Sequence, residues 1–170
     1  MTINVKRITF AQLALVAVLA LTVTGSLSAY VSTLYASTTT AEATNSQTAV
    51  PITPLVFTLP VANGTDHNFA IVTLDMPNLY LSGTPTSGAL AGEVSLVLSG
   101  VTTVASGQIS ADLTGSGKDG GSTGRKPMTI VVKIPLTTVT QSLQAEWNGV
   151  NGATIKSDTF ASMSAILTYN

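Results

Sequence analysis

The sequence predicts an α+β fold: a long N-terminal hydrophobic α-helix followed by an antiparallel β-sandwich (Ig-like) domain. Three observations lead there. No charged residue stands between Arg7 and Glu42. Most of that span is apolar, and no proline precedes Pro51. Beyond residue 50 the pattern changes to short β-branched or alternating segments separated by Gly, Asn, Pro and Ser.

The helix is argued first. From Phe10 to Leu21 every residue except Gln12 is apolar. Ala and Leu favour helix, and without proline no helical N–H is lost. The apolar residues fall on every face, so such a helix must be buried all round, in lipid or among other helices. Over residues 12–36 it would be roughly 37 Å long at ~1.5 Å per residue.

Three fates are open for this segment. A Sec signal peptide would use Lys6 and Arg7 as its basic region and be cut after Ser28, with small residues at Ser26 and Ser28. A retained anchor would use Ile8 to Tyr30, which exceeds the ~20 residues needed to span a bilayer. In the third, a short basic leader is removed and the apolar run stays on the mature chain. A discarded signal needs only about 7–15 apolar residues, and the uncharged run here continues to about Ala36, which favours the third.

Lys6–Arg7, the small Ala11 and the uninterrupted run from Gln12 together resemble archaeal type IV pilins, the subunits of archaeal adhesion pili. The resemblance implies a basic leader at 1–11, cut by a dedicated peptidase between Ala11 and Gln12. It implies a stem helix at 12–36 that is held in the membrane before assembly. Leu13, Leu15, Val16, Val18, Leu19, Leu21, Val23 and Leu27 would then pack in the core of a homopolymer of many copies.

Residues 37–50 read as a Ser/Thr-rich linker and a natural site for O-linked glycan. The β domain follows over 51–170. Strands are expected at Leu55–Leu59, Phe69–Leu74, Leu79–Ser82, Glu93–Leu98, Thr102–Leu113, Met128–Ile134, Thr137–Trp147 and Thr154–Tyr169. Ser99-Gly100 reads as a hairpin turn between two of them, and Asn148-Gly149 as a separator. Pro135 marks an edge or a bulge. Gly115 to Gly124 reads as an exposed loop.

Composition narrows the function. With 170 residues the chain holds one domain and an appendage. Charged residues make up 9%, against ~25% in ordinary soluble proteins. Ser and Thr supply roughly a quarter of the chain, an excess typical of secreted, glycosylated proteins. A net charge of -1 gives no footprint for nucleic acid. Without cysteine there is no disulfide, no Cys–His pair and no zinc cluster.

No catalytic constellation emerges. His67 is the only histidine and follows the turn-like Asn63-Gly64-Thr65-Asp66, so a surface position is expected. No G-x-S-x-G elbow occurs. Gly117-Lys118 fails the phosphate-loop pattern, because Asp112 and Asp119 stand where Gly and Ser/Thr are required. Asp112, Asp119, Glu146 and Asp158 are scattered singly. No enzyme, cofactor, metal or small-molecule substrate is therefore expected. Asn63-Gly64-Thr65 is an N-glycosylation sequon, with Asn63 the acceptor. Trp147 and Tyr169 read as core anchors.

The expected function is a structural subunit of an extracellular helical filament, with stem helices inside and β domains outside, serving adhesion or surface motility. Two alternatives stay open. One is a Sec-exported subunit of a donor-strand thread, inserting the alternating Val31, Thr33 and Tyr35 into a neighbour. The other is a membrane-anchored surface binding module, for instance for sugar.

Overall fold

Regular alternation of buried and outward side chains dominates the molecule. The structure, a computed structural model, describes residues 33–85, 89–111 and 121–169. The described residues are all-β, in eleven strands: β1 (Thr33–Ser37), β2 (Glu42–Thr44), β3 (Val50–Leu59), β4 (Phe69–Gly83), β5 (Leu90–Leu98), β6 (Thr102–Ala111), β7 (Gly121–Ser122), β8 (Lys126–Pro135), β9 (Gln141–Val150), β10 (Ala153–Ser157) and β11 (Ser162–Thr168).

They form two antiparallel sheets. One has the order β1-β11-β4-β10-β2, with β7 and β8 along the other side of β4. The second has the order β3-β9-β5-β6. The hub is β4. On one side β11 pairs with Phe69–Asp75 and β10 with Leu79–Gly83, end to end. On the other, β8 follows β4 with a register shift between Met76 and Leu79. Pro77 sits in that shift, where its missing N–H costs no ladder bond.

Both sheets contribute to one core. Leu74, Leu81 and Ile155 from the first meet Leu90, Leu96 and Trp147 from the second. Burying a side chain of this kind fully contributes about 1.5–3 kcal/mol. The sheets approach so closely at Gly92 that a Cβ there would stand 2.8 Å from Leu81 and 2.9 Å from Ile155.

Among the described residues, the expected α+β class, a stem helix followed by an Ig-like β-sandwich, is corrected to an all-β fold of two curled antiparallel sheets. Residues 33–36, expected as the end of the stem helix, and Ser37, expected to open the linker, form one strand paired with β11 from Thr33↔Ile166 to Ser37↔Ser162. The physical reason is its period. Leu34 and Ala36 pack against the core while Tyr35 between them faces out, which a strand allows and a helix does not. The remainder of the expected stem lies outside the described residues. Glu42–Thr44, within the expected linker, pairs with β10.

Two further differences share one cause, strands that bend. Phe69–Leu74 and Leu79–Ser82 are one strand, β4, carried through its register shift. Thr154–Tyr169 is two strands, β10 and β11, divided where Phe160 takes φ 75°. The hairpin at Ser99-Gly100 is present, with φ of 53° and 73°. Asn148-Gly149, by contrast, lies inside β9, and the turn comes at Asn151-Gly152 with φ of 58° and 85°. Gly149 is required by proximity: a Cβ on it would lie 2.0 Å from the Ala153 carbonyl oxygen. Trp147 is a core residue, but Tyr169 is 56% exposed and anchors nothing.

Candidate functional site

The register shift in β4 decides what its second half presents to solvent. Leu79 and Leu81 are fully buried, so Tyr80 between them points outward. Its cross-strand partner on β10 is Lys156. A third residue arrives from the segment between β7 and β8. There Thr123 accepts a hydrogen bond from the Leu81 N–H through Oγ1 (2.8 Å) and donates its own N–H to the Leu81 carbonyl (2.8 Å). This double tie brings Arg125 over Tyr80, with the guanidinium carbon 4.9 Å from the ring centroid. The Lys156 ammonium lies 5.9 Å from the same centroid. Both distances are within reach of cation–π attraction.

Asp158 completes the group. Arg125 Nε donates to Asp158 Oδ2 in an ion pair, and the Asp158 N–H donates to the Asn78 carbonyl at 3.4 Å. The side-chain hydrogen bond from Arg125 to Asp158, followed by the carboxylate's attraction, raises the Arg125 pKa above its already high ordinary value. The guanidinium therefore stays charged across working pH. The result is an aromatic ring and a cation on paired strands, with a second cation and a carboxylate beside them from the segments before β8 and after β10. Such an array offers hydrogen-bond donors next to an acceptor.

A second polar feature is the turn before β4. Asn63 and His67 exchange backbone hydrogen bonds of 2.8 and 2.9 Å. Asn63 Nδ2 donates to Asp66 Oδ2 at 2.7 Å, and Thr65 Oγ1 donates to Asn63 Oδ1 at 3.0 Å. Asn63 is exposed, at the position expected of a glycan acceptor.

Among the described residues, no group of three or more His, Cys, Asp or Glu could hold a metal ion. Nor is any helix among them long and apolar enough to cross a membrane. The expected processing residues Ala11 and Gln12 lie outside the described residues. So do the expected filament-core residues Leu13, Leu15, Val16, Val18, Leu19, Leu21, Val23 and Leu27.

Sequence reasoning missed the Tyr80 group. It took Asp158 as solitary, yet Asp158 pairs with Arg125, 33 positions away. Only one signal was available: strict alternation around Tyr80 marks it as outward-facing. Nothing local announces its partners.

A family model described as "Bc2l-C, N-terminal domain" matches residues 35–166, from β1 through β11. No curated protein matches the sequence. Among solved structures, dimeric latent PorU from Porphyromonas gingivalis is similar at 13% identity and a TM-score of 0.48, over 82% of this chain and 13% of PorU. Eiger TNF from S. frugiperda is similar at 8% identity and a TM-score of 0.42, over 81% and 94%. The EclA C-terminal domain, titled a sugar-binding protein, is similar at 14% identity and a TM-score of 0.38, over 78% and 77%. No pilin family matches. With a strand where the stem should end, the expected type IV pilin assignment is corrected. The matched segment runs from within β1 to within β11, and the chain belongs to the family of the Bc2l-C N-terminal domain.

Proposed function

We propose that this protein is an exported, non-enzymatic carbohydrate-binding module that recognises its glycan at the group formed by Tyr80, Arg125, Lys156 and Asp158. Membership of a family with a lectin-like fold supports the class of activity. The observation that carries the site is the ion pair of Arg125 with Asp158 stacked against Tyr80.

Neighbouring sugar hydroxyls each need a donor and an acceptor. A guanidinium beside a carboxylate provides that pair, since one hydroxyl accepts from Arg125 and the next donates to Asp158. The apolar face of a pyranose fits against an aromatic body with a polar tip, which Tyr80 supplies. The double tie at Thr123 holds Arg125 in place before any ligand arrives, which lowers the ordering cost of binding. Export is supported by the basic pair Lys6–Arg7 ahead of the apolar run and by the excess of hydroxyls.

A glycan array probed with the full chain, followed by calorimetric titration of the sugars retained, tests the proposal. Tyr80→Ala and Arg125→Ala should each weaken binding at least ~tenfold, about 1.4 kcal/mol, with little change in thermal stability. A parent protein that retains no glycan refutes the activity. A Tyr80→Ala variant that binds as the parent does refutes the site.

A further inference from the structure

One bulky residue holds a backbone conformation that its own side chain opposes. Among the described residues, three other than glycine take positive φ: Ser99, Asn151 and Phe160. Ser99 and Asn151 each precede a glycine in a tight turn, where two successive positive φ values are required. Phe160, at φ 75°, has no such reason, and for a large side chain this value is a strained outlier. Burial does not offset the strain, because the residue is 73% exposed. The ends of its turn impose it. On one side the Asp158 N–H donates to the Asn78 carbonyl at 3.4 Å. On the other, the Ala161 N–H donates to Thr38 Oγ1 at 3.1 Å and the Ala161 carbonyl accepts from the Thr38 N–H at 2.8 Å. Thr38 and Ala161 are both buried. A single exposed apolar residue needs no explanation. Strain that fixed surroundings maintain is different, and it clusters at ligand sites.

We infer that Phe160 is the platform for a second sugar residue, so that the ligand is an oligosaccharide of at least two pyranoses. This rests on the reading of the Tyr80 group as a sugar site. Asp158, the acceptor of that group, lies in the same turn, two residues before Phe160. Cα atoms two steps apart stand at most ~7.6 Å from each other, the scale of one sugar residue. A first pyranose against Tyr80, with hydroxyls on Arg125 and Asp158, leaves its neighbour to continue past the carboxylate toward Phe160. The two rings accept different things. Tyr80 carries a hydroxyl and has two cations beside it. Phe160 has no polar atom in its side chain, so it takes the C–H face of the second residue. A ring already held in place adds little ordering cost to that contact.

Calorimetry on the full chain tests this with glucose against cellobiose, mannose against mannobiose, galactose against lactose, and N-acetylglucosamine against chitobiose. The parent should bind at least one disaccharide ~tenfold or more tightly than its monosaccharide. Phe160→Gly should keep the monosaccharide affinity and reduce that gain to within about twofold. It should unfold at a temperature no lower than the parent's, since glycine adopts positive φ freely. Phe160→Asn, whose side chain also tolerates that region, should behave alike and separates loss of the ring from a looser turn. A parent that gains nothing from the second residue overturns the inference and leaves the Tyr80 site standing. So does a gain that survives both substitutions. Monosaccharide affinity that falls together with the gain overturns it too, because Phe160 would then act by positioning Asp158. A clear drop in unfolding temperature in both variants would make the ring a packing element and count against it equally. A parent that binds none of these sugars ends the inference, and the glycan array then shows whether the sugar reading falls with it.

Discussion

The two halves of β4 bury the same kind of side chain and display opposite chemistries. Inward, Ala70, Val72, Leu74 and Met76 in the first half are continued by Leu79 and Leu81 in the second, all fully buried. Outward, the first half carries Ile71 and Thr73 among apolar and hydroxyl neighbours, while the second carries Tyr80 among Lys156, Arg125 and Asp158. The register shift separates them. Inward residues are even-numbered up to Met76 and odd-numbered from Leu79, because Pro77 and Asn78 together occupy one step of the pleat. One strand can therefore serve two surfaces while its core face runs on without a gap.

The most disruptive way to break this comparison is to delete Pro77 and Asn78 together, the two residues that share one step of the pleat. The strand would then be rephased, sending Leu79 and Leu81 to solvent and Tyr80 into the core. Losing two buried leucines at about 1.5–3 kcal/mol each, with a tyrosine hydroxyl forced inside, should remove most of a small domain's 5–15 kcal/mol. Loss of cooperative unfolding by circular dichroism is the expected result. A deletion variant that unfolds as the parent does would show that the shift is not what sets the two faces.

Gly149→Ala comes next. Its Cβ would meet the Ala153 backbone carbonyl at 2.0 Å, and backbone cannot rotate away as a side chain can. A loss above about 3 kcal/mol is expected in urea unfolding. This change strikes the join between β9 and β10, the strand that places Lys156 beside Tyr80. Leu74→Ala and Leu81→Ala should follow at about 2–5 kcal/mol each. If the two halves share one core, these losses should be alike despite the different outer surfaces. A Leu81→Ala cost below ~1 kcal/mol would mean that the second half is held mainly by its polar group.

Much of the β domain was legible in the sequence, and the reason is local. Glu93–Leu98 with Ser99-Gly100 states a strand and a turn in neighbouring residues, and the structure forms both. What was not legible depends on distant pairing. Residues 33–36 continue an uncharged stretch and so read as the end of a helix; only β11, from the far end of the chain, makes them part of a strand. Asn148-Gly149 has the composition of a turn, but its glycine answers to the Ala153 carbonyl. The candidate site was hidden for the same reason. Tyr80, Arg125 and Asp158 lie in three separate segments that only the sheet order brings together.

The smallest expected effect sharpens the polar half of the comparison. Arg125 is exposed and its pKa is raised by Asp158. A raised cationic group contributes its stabilisation fully below its unfolded-state value and loses it only as pH rises through the folded-state value. For arginine both lie well above the working range. The stability difference between the parent and Arg125→Gln should therefore be small and equal at pH 6 and pH 9 when measured by thermal unfolding, and it should shrink in high salt, as exposed ion pairs do. Glycan affinity should behave differently, falling strongly in Arg125→Gln at both pH values, because glutamine cannot offer the charged fork to a hydroxyl beside Asp158. A variant that loses stability but keeps its affinity would make Arg125 a strut for the loop before β8 and leave sugar recognition to Tyr80 and Lys156.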